Sequence, residues 1–197
     1  MMKTLMLLFL GVTSSWAADY EFLLEDPDIL SPCTDGPPGA IDAREAVDFE
    51  HIVINAEADI LHVSGNATVN WNVHPTDRIT AKLELLHFNR GSWEPTVFTM
   101  NAKDFCSIMY DKNQYWYKYW TTYIINRDEV EEKCIKGPGV VLVHEPFDVR
   151  LKFMNLYGPT LRGRYKMVIT FHALDDFNVP RPKPICVEIR GEFLKLK

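Results

Sequence analysis

The sequence lacks the features of a membrane-spanning or nucleic-acid-binding protein. Beyond residue 17, charged side chains interrupt every apolar run, so none reaches the roughly twenty residues that a membrane helix needs. Basic residues are scattered among acidic ones, and the net charge is −6. We therefore predict no transmembrane segment, and we expect neither nucleic acid nor an anionic membrane surface as a partner.

Sequence motifs of catalysis are also missing. The chain contains no Gly-x-Ser-x-Gly, no His-Glu-x-x-His, no phosphate-binding glycine loop and no dinucleotide fingerprint. Its six histidines stand singly, and no two cysteines have the spacing of a structural zinc site. We therefore predict a protein that is not an enzyme and that has no metal site and no cofactor.

The first residues have the layout of a secretory signal peptide. Lys3 precedes an apolar stretch from Leu5 to Val12, and the small residues Ser15 and Ala17 follow. We expect cleavage after Ala17, so residues 1–17 are the predicted signal peptide and the protein is expected to be secreted and extracellular. The remaining 18–197 have the size of a single domain.

Four cysteines in an exported chain favour two disulfides. Three pairings of Cys33, Cys106, Cys134 and Cys186 are possible, and the sequence alone does not choose among them. We favour Cys106 with Cys134, which closes a loop of modest length, and Cys33 with Cys186, which ties the N-terminal segment to the last strand. The sequon that begins at Asn66 predicts N-glycosylation at that residue.

Most of the chain has the two-residue period of β-strands. Apolar and polar residues alternate in runs that are bounded by turn signals, including Ser64-Gly65-Asn66 and residues 74–77. The predicted strands are 49–55, 60–73, 78–88, 96–100, 147–153, 165–171 and 185–194. Short antiparallel strands in this number predict a mainly β fold, an antiparallel β-sandwich.

One mid-chain segment departs from this period. Residues 104–133 contain neither proline nor glycine, and aromatic residues recur at spacings of three and four, which predicts a helical insertion. Asp104 is a candidate N-cap, and the polar residues 112–114 are expected to divide the insertion into two helices. The aromatic cluster permits two interpretations, core packing on the sheet or a partly exposed contact surface. It consists of Tyr115, Trp116, Tyr117, Tyr119, Trp120 and Tyr123.

Several segments together resemble one protein family. They are PCTD at 32–35, VSGNAT at 63–68, LHFNRGSW at 86–93, DKNQYWY at 111–117 and GRYK at 163–166. As a set they resemble the insect chemosensory protein B family. The resemblance covers nearly all of the mature chain. That family is in turn similar to the ganglioside-activator protein and the wider ML-type lipid-recognition domains, in which two β-sheets enclose an apolar cavity.

The resemblance implies a cup-like, lipid-recognition type of sandwich with a hydrophobic small molecule or lipid as its ligand. It also implies a role in gustatory or pheromone perception, and it fits the two disulfides favoured above. No catalytic residue carries over. Apolar residues expected to point inward are the candidate ligand-lining set, with the last two near an opening: Trp71, Leu83, Leu85, Phe98, Leu151, Phe153, Ile169, Phe171, Trp116 and Trp120.

Two further hypotheses remain open from the sequence. The first is an accessory interaction module for a sensory receptor or ion channel, with the aromatic helix as its contact face. The second is a hydrolase of unfamiliar type, which requires a histidine and a carboxylate within hydrogen-bond distance in a cleft. A fully packed sandwich would show the same strand alternation as a hollow one.

Overall fold

The computed structural model describes residues 17–26, 29–57 and 60–196. Numbered along the chain, its strands are β1 (Ala18–Leu24), β2 (Ser31–Pro32), β3 (Val47–Asp48), β4 (Ile52–Glu57), β5 (Ile60–Val69), β6 (Arg78–Asn89), β7 (Ser92–Ala102), β8 (Val141–Val149), β9 (Lys152–Leu156), β10 (Gly163–Leu174) and β11 (Ile185–Lys195). Its helices are α1 (Ala43–Ala46), α2 (Phe105–Tyr110), α3 (Tyr115–Tyr119) and α4 (Arg127–Val130), with a 3₁₀ turn at Thr121–Tyr123. The predicted signal peptide lies outside the described residues except for Ala17.

The strands form two antiparallel sheets, which confirms the predicted mainly β, sandwich-like fold. The first sheet has the order β7-β6-β10-β11-β1-β9, and β2 adds to β11 beside β1. In the second sheet β5 is central, with β3 and β4 along one side and β8 along the other. The apolar faces of both sheets contribute to one large buried cluster, together with the helices.

The chain passes from the second sheet to the first immediately after β8. We predicted one strand over 147–153, but β8 ends at Val149 and β9 starts at Lys152. Leu151, between them, accepts a backbone hydrogen bond from Phe22 of β1 and packs against clusters on both sheets. Alternation persists across this crossing because both strands face the same core, so the pattern does not reveal a change of sheet.

Gly65 marks a bulge where the sequence predicted a turn. Ser64, Gly65 and Asn66 lie inside β5, and the pairing of β5 with β8 shifts in register between Val63 and Gly65. Gly65 has a φ of 108°, and a Cβ there would lie 2.1 Å from the His51 carbonyl oxygen. The backbone at His51 thus passes too close to position 65 for any side chain, so only glycine fits there.

The helical insertion lies where we predicted it, but it consists of several short pieces. Asp104 caps α2 as expected, because its side chain accepts hydrogen bonds from the amides of Cys106 and Ser107. The polar residues 112–114 separate α2 from α3, and the 3₁₀ turn and α4 complete the insertion. The Cys106–Cys134 disulfide joins its two ends.

Strands β1 and β2 were not predicted, and they belong to a segment that is fastened to β11. The Cys33–Cys186 disulfide ties this segment to β11, and it is the second of the two pairings that we favoured. Thr34 also donates two hydrogen bonds to Glu188 of β11, one from its backbone amide and one from its hydroxyl. The start of β11 is therefore covered on its outer face, where Glu188 is buried, whereas Glu192 further along the same face is exposed.

A buried ion pair lies under this cover. The Lys166 ammonium is 3.1 Å from Glu188 and also contacts Thr34 and Asp35, and both Lys166 and Glu188 are about 1% exposed. Burial alone would raise the pKa of Glu188, but hydrogen bonds from Arg190, Thr34 and Lys166 outweigh it and hold that pKa below its ordinary value. The network therefore keeps the carboxylate charged.

Glu188→Gln is expected to lower the free energy of unfolding by about 3 kcal/mol, because it leaves the buried Lys166 ammonium with only the exposed Asp35 carboxylate as a partner charge. Urea denaturation measures this loss. Glu192→Gln, the same change at an exposed position of β11, is the control. Equal stability of the two variants would contradict the importance of the buried pair.

Asn66 is exposed on β5, so we expect protein that is secreted from eukaryotic cells to carry an N-glycan there. Enzymatic release of N-glycans should lower the mass of protein secreted from eukaryotic cells by one glycan. The mass of Asn66→Gln should not change in the same treatment. A wild-type mass unaffected by the enzyme would show that the sequon is unused.

Candidate functional site

The candidate site is an apolar cavity of about 210 Å³ between the two sheets. The first sheet contributes residues of β10 and β11, the second contributes residues of β4, β5 and β8, and α1, α2 and α3 complete the wall. Every residue in the lining is aliphatic or aromatic. A ligand in this space would meet almost no hydrogen-bonding groups, so the cavity suits hydrocarbon.

Strand and helix periodicity direct these side chains inward. On β10, Ile169 and Phe171 are two residues apart and share one face of the sheet. Trp116 lies on α3, and Trp120 is the residue that caps its C-terminal end. The Trp120 amide donates to the Trp116 carbonyl one turn earlier, and both side chains line the cavity. The second sheet contributes a small side chain, Ala67, which is 1% exposed. Small residues at such positions leave space that larger ones would fill.

A second cavity of about 130 Å³ adjoins the first. It lies toward β6, β7 and β9, and it shares Phe105, Trp116, Ile169 and Phe171 with the first cavity. Three of these shared residues are aromatic and pack edge to face, with ring centroids 5.0 Å apart for Phe105 and Trp116 and 4.9 Å apart for Phe105 and Phe171. These three rings, which we call the aromatic partition, stand where the two cavities meet.

The structure brings six of the ten predicted lining residues to these cavities. Trp116, Trp120, Ile169 and Phe171 line the first cavity. Leu83 and Phe153 line the second.

The other four predicted residues lie in packed core and line neither cavity. Trp71 is 3% exposed, and its indole N–H donates to the Lys183 carbonyl. Leu85, Phe98 and Leu151 pack in the cluster formed by β1, β10 and β11. Inward orientation is common to core and lining, so it did not separate these four from the rest.

Sequence reasoning missed the smallest lining residues and the cover formed by the N-terminal segment. Ala43, Ala46 and Ala67 line the first cavity, and alanine gives no signal that distinguishes such a position. Ile29 and Leu30 also line it, although they lie outside every strand that the sequence predicted. The lining residues of β11 fall within a strand that we did predict.

All six residues of the aromatic cluster are half-buried. Tyr115 stacks on Tyr119, and the Tyr119 hydroxyl donates to the Lys152 carbonyl of β9. Trp120 packs against Phe147 of the second sheet. None of the six is among the exposed large hydrophobic residues of the described chain, so the cluster serves mainly as packing between the sheets.

His144 lies buried behind the cavity wall. Its ring is 4.4 Å from that of Trp120, and neither of its nitrogens makes a well-aligned hydrogen bond within the described residues. Burial lowers the pKa of His144 to about 4, and the nearby backbone groups of Gly65 and Leu142 oppose only part of this effect. The imidazole is therefore neutral at physiological pH.

One histidine is close to carboxylates, on the outer face of the second sheet. His62 Nδ1 is 2.6 Å from Asp148, and Nε2 is 3.6 Å from Glu57. All three side chains are more than one third exposed, and carboxylates face both ring nitrogens.

Among the described residues, no three or more His, Cys, Asp or Glu side chains are arranged so that they could hold a metal ion. Within the same residues, no helix has the length and apolar character required to cross a membrane.

We expect the neutral state of buried His144 to make stability depend on pH. The folded-state pKa of about 4 lies below the ordinary 6.5, so between these values the unfolded chain binds a proton that the folded chain does not. This contribution to stability is complete above pH 6.5 and is lost as pH falls toward 4. The total loss is about 3 kcal/mol.

Urea denaturation of wild type and His144→Phe across this pH range measures the effect, because carboxylate titration is common to both proteins. The difference between their unfolding free energies should change in favour of the variant as pH falls. A difference that stays constant would contradict a buried neutral His144.

The chain matches no protein-family model, and no curated protein matches it. The fold and the cavities therefore rest on the chain's own residues, and the family resemblance remains a prediction.

Proposed function

We propose that this protein is a secreted, non-enzymatic binding protein that holds a hydrophobic, lipid-like molecule between its two sheets. The observation that carries this proposal is the apolar cavity of about 210 Å³, whose lining contains no polar residue. An engineered apolar cavity of about 150 Å³ stays dry and binds benzene. The cavity here accommodates a somewhat larger hydrocarbon group, and the adjoining 130 Å³ extends the space available to a chain.

Secretion is supported by the disulfides and the N-terminal sequence. Cys33–Cys186 and Cys106–Cys134 pair all four cysteines, and disulfides persist in oxidising compartments. The apolar stretch after Lys3 is the other support, as a signal peptide. A secreted carrier makes a poorly soluble molecule available in an aqueous medium.

We further propose that the ligand is a chemosensory cue and that the protein acts in gustatory or pheromone perception. This part of the proposal depends on the resemblance to the insect chemosensory protein B family. The segment 111–117, which contributes to that resemblance, supplies Trp116 to both cavities. One of the segments that carry the resemblance and the candidate site thus coincide at one residue.

The accessory-module hypothesis has support at a different place from the one we expected. Phe177 is 86% exposed and Val179 is 56% exposed, in the loop after β10. The Asp175 carboxylate accepts hydrogen bonds from the backbone amides of both residues, so the loop presents them in a defined conformation. An exposed aromatic residue on an ordered loop suits docking to a receptor or channel.

Filling the cavity should abolish ligand binding. Ala67→Phe places a ring in the space between the sheets, so we expect the fluorescent probe N-phenyl-1-naphthylamine to bind wild type and to bind the variant at least tenfold more weakly. Fluorescence titration measures both affinities. Circular dichroism establishes that the variant is folded.

Val53→Phe is the matched control, because it adds a ring to the neighbouring strand β4 at an exposed position outside the cavity lining. Probe binding by this control should equal that of wild type. Binding by Ala67→Phe that equals wild type, or no binding by wild type, would contradict the cavity as the ligand site.

Phe177→Ser tests the docking function. If it is the only one of these three variants that alters binding to sensory-cell membranes, the docking function gains support.

A further inference from the structure

The partition between the two cavities contains a polar atom with no partner. Trp116 lines both cavities, and its indole Nε1 is buried without a hydrogen bond in the described chain. A buried donor that is left unsatisfied costs about 1 to 3 kcal/mol. Native proteins pair most such groups, so this donor requires an explanation.

Water in the first cavity does not supply the missing partner. A buried water molecule needs two to four polar partners, and the first cavity's lining offers aliphatic and aromatic groups only. The second cavity's lining includes Lys82, Asn101 and Gln114, yet none of them bonds to the indole. An acceptor carried by a bound molecule would satisfy the Trp116 N–H.

Other unpartnered groups do not point to a ligand in the same way. The hydroxyls of Tyr110 and Thr121 and the ring nitrogens of His144 are also buried without partners. None of these three residues lines either cavity. Trp116 alone combines an unpaired donor with a position between the cavities, as far as the described residues extend.

We propose that Trp116 makes the site selective for a chain-type ligand that carries one oxygen acceptor, such as an ester, over a plain hydrocarbon of similar length. The inference rests on the proposed function, since it presumes that the cavities hold a lipid-like molecule. The hydrocarbon parts of the ligand occupy the two cavities, and its oxygen lies at the aromatic partition, where it accepts the indole hydrogen bond. Trp116 is then a specificity-determining residue.

The physical basis is the cost of an unsatisfied donor. A hydrocarbon in the cavities leaves the indole N–H unpaired, whereas an ester oxygen at the partition pairs with it. A difference of 1.4 kcal/mol corresponds to a factor of ten in affinity. Each ester must lose its own hydration on entry, so we expect a preference of about tenfold for the ester.

The test compares decane with methyl nonanoate as displacers of N-phenyl-1-naphthylamine. Wild type should bind the ester about tenfold more tightly than the alkane. In Trp116→Phe, which keeps an aromatic ring but removes the N–H, the preference should fall to within about twofold, because the ester loses its hydrogen bond. Trp120→Phe makes the same change one helical turn later, in a residue that lines only the first cavity, and it should change the affinities for decane and the ester alike, so that their ratio is kept.

The outcomes separate this inference from the proposed function. Failure of both ligands and of the probe to bind wild type would overturn the binding function itself. Equal binding of decane and methyl nonanoate by wild type, or an unchanged preference in Trp116→Phe, would overturn the selectivity of Trp116 and leave the binding function standing. If Trp120→Phe also lost the preference for the ester, the effect would not be specific to Trp116, and the selectivity assigned to Trp116 would be overturned.

Discussion

Packing of α3 and its C-cap against both sheets sets how closely the two sheets approach each other. Trp116 contacts Phe171 of the first sheet, and Trp120, one helical turn later, contacts Phe147 of the second. A pair of large rings at this spacing keeps the two apolar sheet faces from closing completely on each other. Where the facing residues are small, as at Ala67, space remains, and the cavity follows from this combination of large and small side chains.

The buried ion pair on the outer face of the first sheet follows the opposite principle, because both of its charged groups have hydrogen-bond partners. Lys166 and Glu188 are buried there under the segment that Cys33 fastens to β11, and each has several hydrogen-bond partners. Such a network is costly to break and holds its members in one arrangement. The same N-terminal segment supplies Ile29 and Leu30 to the cavity wall, so its attachment also shapes the site.

The positions of most strands, though not of β1 and β2, and of the helical insertion could be predicted from the sequence, because two-residue alternation and the missing proline and glycine reflect local structure. The change of sheet after Val149 could not, since inward alternation continues across it. The lining was predictable only in part. Trp116 and Phe171 were found as large inward residues, but Leu85 and Phe98 have the same pattern and lie in packed core. What distinguishes a cavity is the size of the residues opposite, such as Ala46, and this pairing is set by tertiary structure.

The central claim is that the space between the sheets holds a hydrophobic molecule. Native mass spectrometry of the secreted protein before and after organic extraction tests it most directly. A hydrophobic ligand in the cavity predicts that extraction lowers the mass by that of a lipid-like molecule, which the extract then contains. An identical mass before and after extraction, together with an extract free of such molecules, would contradict the claim.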